Sequence, residues 1–119
     1  MASILIVEDE GIVALNYASI LEDAGYSVVG PVGTIRKGIE AIENERIDGA
    51  VLDIDIGGVP VDPIIMALQQ KRVPFIFVSA NPDQVGPYGD AVFLDKPCTA
   101  VQLITAVGQL VQKIRARPV

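Results

Sequence analysis

The sequence predicts an α/β domain built on a five-stranded parallel sheet with helices on both faces. Short apolar runs at 4–7, 26–29, 47–53, 73–78 and 91–94 have the length and composition of buried strands. Segments with helical spacing or helix-capping residues lie between most of these runs. Alternation of this kind calls for right-handed βαβ units. The chain has 119 residues, enough for one domain with a sizeable core, so 1–119 reads as a single unit.

The first strand, 4–7, stops at Glu8-Asp9-Glu10. A helix over 11–24 follows, with Val13, Tyr17, Ile20, Leu21 and Ala24 on one face and Gly25 placed to cap its end. Gly30-Pro31 closes the second strand. Thr34 suits the N-cap of a second helix whose inner face is Ile35, Ile39 and Ile42. The third strand runs into Asp53, and Gly57-Gly58 marks a loop. Asp62-Pro63 reads as N-cap and first turn of a third helix, with Lys71 and Arg72 at its negative end. Pro74 puts the start of the fourth strand at Phe75, and that strand ends in Ser79. Residues 80–90 hold Pro82, Gly86, Pro87 and Gly89, so a fourth helix there is expected to be shortened or irregular. Thr99 caps the last helix, with Leu103, Val107, Leu110, Val111 and Ile114 as its buried stripe.

Composition excludes several functions. Half the residues are hydrophobic and a fifth are charged, a globular balance. No apolar run approaches the roughly 18 residues of a membrane span. The amino terminus lacks the basic region of a signal peptide, and the lone Cys98 fits a reducing, cytoplasmic setting. A net charge of −6 argues against direct nucleic-acid binding. The chain has no histidine, so His-type zinc sites and Ser-His-Asp hydrolysis are out.

Polar chemistry gathers at four strand ends. Glu8 and Asp9 follow the first strand, Asp53 ends the third, Ser79 ends the fourth, and Lys96 follows the fifth. In a parallel sheet these ends share one rim, where open α/β sheets place ligands. On its own, an Asp after a strand is as often a turn residue. Together the set is what phosphoryl transfer to a carboxylate needs. Asp53 would attack phosphorus, and Asp9 and Asp53 with a backbone carbonyl would hold Mg²⁺. Glu8 would reach the ion through a water, Lys96 would neutralise a phosphoryl oxygen, and Ser79 would donate to another.

In these residues the chain resembles a receiver domain of bacterial two-component response regulators, the CheY-like family. The resemblance rests on Glu8-Asp9, Leu52-Asp53 with Gly57-Gly58, Ser79-Ala80 and Lys96-Pro97, and it covers essentially the whole chain. It implies a flavodoxin-like, doubly wound sheet of order 2-1-3-4-5, which sets Asp9 beside Asp53. It also implies Mg²⁺-dependent phosphorylation of Asp53 by a histidine kinase or histidine phosphotransfer protein. The Asp55 carbonyl would be the third protein ligand of the ion, and Lys96-Pro97 is a cis peptide in many relatives. Phe93 matches the family's aromatic switch position, which follows Ser79 inward on phosphorylation; taken alone it reads first as a core aromatic beneath the fifth strand, and both can hold.

Three departures stand out. Asp55 adds a like charge two residues after Asp53, which either alters the lifetime of a phosphorylated state or points to solvent. The Pro- and Gly-rich 80–90 segment puts the usual output surface in question. Cys98 stands where relatives often have Phe, and a small buried thiol is the plainer reading. The leading expectation is a stand-alone phosphoacceptor switch acting through a partner surface. A haloacid-dehalogenase-type phosphatase also uses an Asp-x-Asp such as Asp53-Ile54-Asp55, but its metal acids follow the lysine, and this chain has no Asp or Glu after Lys96. A pseudo-receiver that never carries phosphate is the third alternative.

Overall fold

The computed structural model describes residues 1–80 and 92–115, with side chains to residue 112. Five strands form the main sheet: β1 (Ser3–Val7), β2 (Ser27–Val32), β3 (Gly49–Leu52), β6 (Phe75–Ser79) and β7 (Val92–Asp95). All pair in parallel, in the spatial order β2-β1-β3-β6-β7. This is the expected 2-1-3-4-5 arrangement once a small hairpin, β4 (Asp55–Ile56) and β5 (Val59–Pro60), is numbered in sequence. Four described helices flank the sheet: α1 (Gly11–Asp23), α2 (Ile35–Asn44), α3 (Asp62–Gln70) and α4 (Ala100–Arg115). None is long and apolar enough to cross a membrane. Of the irregular fourth helix expected over 80–90, residues 81–90 lie outside the described residues, and Ile114 of the last helix's stripe lies in α4 but beyond the described side chains.

Side chains alternate across the central strands and so build two cores. Leu5, Val7, Ala50, Leu52 and Phe77 face α2 and α3 and pack with Ile42, Ile64 and Leu68. Ile4, Ile6, Val51, Ile76 and Val78 face α1 and α4 and pack with Leu21, Leu103 and Val107. Gly38 lets α2 approach α3 closely, because a Cβ there would lie 2.6 Å from Ile64 Cδ1. The helix ends follow their capping residues. Lys37 N–H donates to Thr34 Oγ1 at 3.1 Å. Gly25 (φ 96°) and Tyr26 return their N–H groups to the carbonyls of Glu22 and Leu21, closing α1 with a Schellman motif. Thr99 and Gln102 form a reciprocal capping box at α4, with N–H···O distances of 2.8 and 3.1 Å.

Several expectations need correction. β2 does not stop at Gly30-Pro31 but runs through it. The register against β1 shifts by one residue, from Leu5 opposite Val29 to Val7 opposite Val32, and Gly30 takes φ 90°. An edge strand tolerates a proline that an inner strand could not. α1 buries Ala14, Tyr17, Ala18 and Leu21; Val13 and Ile20 flank that face and Ala24 is exposed. Asp62 is the first residue of α3 rather than its N-cap, which is Val61. Its helix ends at Gln70, and the Lys71 ammonium donates to the Ile42 carbonyl of α2 at 2.9 Å instead of serving its own helix end. β3 begins at Gly49, two residues later than expected, and stops one residue short of Asp53. The fifth strand of the sheet reaches one residue further than expected, to Asp95.

Candidate functional site

The carboxyl ends of β1, β3, β6 and β7 meet at one rim, and the side chains that follow them converge. The Asp53 N–H donates to the Val7 carbonyl at 3.0 Å, which seats Asp53 beside the end of β1. The Lys96 N–H donates to the Ser79 carbonyl at 3.0 Å, which seats the lysine beside the end of β6. From there the Lys96 ammonium lies 2.9 Å from Asp53 Oδ2 and 2.6 Å from Glu8 Oε1. Ligand oxygens of Glu8, Asp9 and Asp53 all fall within 4.8 Å of one another. The Lys96–Pro97 peptide is cis.

Burial grades the cluster. Glu8 is 3% exposed, Asp53 is half-buried and Asp9 is exposed. Glu8 Oε2 accepts the Glu10 N–H at 3.1 Å. Glu8 Oε1 has the ammonium as an ionic partner, but not in the alignment of a hydrogen bond. Burial pushes the Glu8 carboxyl above its ordinary pKa; the Lys96 ammonium and the Glu10 N–H oppose that only in part, and Asp53 adds to it. Burial alone would lower Lys96, but the carboxylates of Glu8 and Asp53 outweigh it and hold the ammonium above its ordinary value. Tyr17 beneath the site is also pushed upward, by burial first and then by Cys98 and the nearby carboxylates, so it stays a neutral phenol.

Of the residues singled out in the sequence, Glu8, Asp9, Asp53 and Lys96 thus come together. Ser79 is buried at the end of β6 on the same rim, opposite Asp95 in the register. Asp55 N–H donates to Asp53 Oδ1 at 3.3 Å, while its side chain is exposed. Phe93 is half-buried and stacks on Phe77 with ring centroids 4.9 Å apart. Cys98 is half-buried rather than fully buried. With Lys96 and Pro97 it lines a groove of about 530 Å³ against Glu10, Ile12 and Tyr17.

Two contributors escaped the sequence reading. Glu10 Oε1 lies 4.0 Å from the ammonium, at the solvent edge. The Gly57 N–H donates to Asp9 Oδ2 at 2.9 Å across the top of the site. A Gly-Gly pair between two short runs is a hairpin signal, and it could have been read as one.

The arrangement has a carboxylate that can act as a nucleophile, an ammonium on it, and an acid cluster fit for a hard cation. The family model of the response regulator receiver domain matches residues 4–108. Among curated relatives, the phyllosphere-induced regulator PhyR of Methylorubrum extorquens is 30% identical over 68% of this chain and 32% of its own length. The transcriptional regulatory protein PdtaR of Mycobacterium tuberculosis is 27% identical over 94% of this chain and 58% of its own. The chain therefore spans about a third to somewhat over half of these relatives. A response regulator receiver protein from Sinorhizobium medicae has the same fold, with a TM-score of 0.84, 33% identity, and coverage of 93% of this chain and 94% of that one.

Proposed function

The chain belongs to the response regulator receiver family, and from that premise we propose that it is a phosphoacceptor switch whose acceptor is Asp53. The observation that carries this reading is the Lys96 ammonium 2.9 Å from Asp53 Oδ2, within an acid cluster on the same rim. The donor is a phosphohistidine on a histidine kinase or histidine phosphotransfer protein. A carboxylate oxygen of Asp53 bonds to phosphorus, the phosphorus–nitrogen bond breaks, and the electron pair leaves on the donor imidazole. Lys96 balances charge on a phosphoryl oxygen, and the Ser79 hydroxyl donates to another. Mg²⁺ fits the cluster, since three carboxylates share one small space and the single Lys96 ammonium beside them leaves most of their charge unbalanced. Asp9, Asp53 and the Asp55 carbonyl would hold it, with Glu8 acting through a water. The ion supplies positive charge where the phosphoryl oxygens gather.

Phosphorylation then alters the surface offered to a downstream protein. Ser79 and Phe93 are the switch residues in this reading, and the stacking of Phe93 on Phe77 gives the ring one packed position from which to move. A cytoplasmic setting without direct nucleic-acid contact agrees with the lone cysteine and the net charge of −6. Intact mass after incubation with acetyl phosphate and Mg²⁺ tests the proposal. Wild type gains one phosphoryl group and Asp53→Asn gains none. Equal labelling of both would remove Asp53 as acceptor. Steady turnover of a phosphate ester would instead favour the phosphatase alternative.

A further inference from the structure

Asp9 differs from its partners in the acid cluster. Glu8 is buried and held by Lys96, and Asp53 is half-buried and held by Lys96 and the Asp55 N–H. Asp9 is exposed, on the short stretch between β1 and α1. Among the described residues, the hydrogen-bond donor to its side chain is the Gly57 N–H, 48 residues away in sequence.

That donor is itself rigidly placed. Gly57 and Gly58 have φ 60° and 81°, and Ile56 pairs with Val59, so they form the two-residue turn of the β4–β5 hairpin. The base of the hairpin is rooted in the α2–α3 core by Ile54, Ile56 and Val61, each at most 5% exposed. The Val61 N–H donates to the Ile54 carbonyl at 3.0 Å and closes the base. The tip is therefore positioned by the core, not by the carboxylate it touches.

We propose that the Gly57 backbone N–H is a positioning group for Asp9, tying that carboxylate into the acid cluster and so setting the affinity of the cluster for a divalent cation. The proposal rests on the reading of Glu8, Asp9 and Asp53 as a cation site. A carboxylate offers about four acceptor positions, so one N–H bond leaves others for a metal. Hydrogen bonds to metal-ligating side chains commonly govern affinity by about 10- to 100-fold. Coupling is reciprocal, so a bound cation must also favour the closed Gly57–Asp9 contact.

Mn²⁺ binding to the full chain, followed by the paramagnetic resonance signal of the free ion, tests this in wild type, Gly57→Pro and Gly58→Pro. Both substitutions clash with a positive φ, but only the first deletes the N–H that meets Asp9. Gly57→Pro is expected to bind at least about tenfold more weakly than wild type, and Gly58→Pro, which strains the same turn but keeps the Gly57 N–H, to lose distinctly less. Equal losses would assign the effect to turn strain and overturn the proposal, as would no loss in either. Wild type that fails to bind Mn²⁺ would instead remove the cation site beneath it. Amide exchange at Gly57 in the unmutated protein gives a second measurement that needs no variant to fold. Mg²⁺ should slow it by about fivefold or more, and an unchanged rate would overturn the proposal.

Discussion

Replacing Lys96 by Met tests the electrostatics of the rim most directly. Met keeps most of the stem and removes the charge. In the native protein the ammonium separates Glu8, whose side chain is 2% exposed, from Asp53, at 13%. Without it, two carboxylates stand with oxygens within 4.8 Å and nothing of opposite sign between them. At an effective dielectric constant near 20, that repulsion is about 3.5 kcal/mol. Removing one partner of a buried ion pair costs about 3–5 kcal/mol by direct measurement elsewhere, so the two routes agree. Urea unfolding from pH 5 to 8, in EDTA and in Mg²⁺, reads the effect. In EDTA at pH 8 the variant should lose about 3–5 kcal/mol. The loss should shrink as pH falls. Glu8 already has a folded-state pKa above its ordinary 4.5, and losing the ammonium raises it further. The folded variant then holds a proton that the unfolded chain releases. That contribution is complete below the unfolded pKa and disappears as pH rises through the folded one. Mg²⁺ should restore part of the loss at pH 8. A loss under about 1 kcal/mol with no pH dependence would mean that the pair behaves as a surface salt bridge, and the reasoning would fail.

Three further outcomes are expected. Because the folded-state pKa of Lys96 lies above 10.5, its contribution to stability is complete below pH 10.5 and is lost as pH rises through the folded value; alkaline unfolding followed by circular dichroism should show this loss in wild type and not in Lys96→Met. Gly38→Ala should cost between about 0 and 2 kcal/mol, read from the urea midpoint: the new methyl meets Ile64 Cδ1, the movable end of its side chain, at 2.6 Å, and overpacking of about 1–3 kcal/mol is set against a helix-propensity gain of about 1 kcal/mol; a variant more stable than wild type would contradict the close approach. Thr99→Ala should cost about 1 kcal/mol through the lost cap on α4, and a melting temperature equal to wild type would contradict the capping-box account.

The sheet was legible because β1, β3 and β6 are covered on both sides, so their residues form unbroken apolar runs. The rim was legible because strand ends are short and the polar residues follow at once. Other features were hidden for physical reasons. α1 carries apolar residues around much of its circumference, with Ile12 87% and Leu15 67% exposed, so its inward stripe could not be chosen by periodicity alone. Strands of two residues are too short to show alternation, and β4 and β5 therefore read as loop. Gly30-Pro31 has the composition of a strand terminator. Only its place on the edge of the sheet, a tertiary fact, allows β2 to continue through it.

The charges at the rim explain why the residues there act as a set. Glu8, Asp9 and Asp53 bring three carboxylates to one place, and Lys96 brings one ammonium. The remainder is two negative charges, the amount one divalent cation offsets. Glu8 is too deeply placed for solvent to screen it well, so this imbalance is not relieved by water alone. A phosphoryl group arriving at Asp53 replaces one carboxylate charge by up to two phosphoryl charges and would deepen it by up to about one more, against a single fixed cation. The protein could relieve the repulsion by placing a second lysine or arginine at the rim, but the further charged residues described there, Glu10, Asp55 and Asp95, are acids. A cluster so arranged is costly as a scaffold and economical as a receptor. In the reading proposed above, its stability and its chemistry would both wait on a positive charge from outside the chain, so a bound cation would have to precede phosphoryl acceptance.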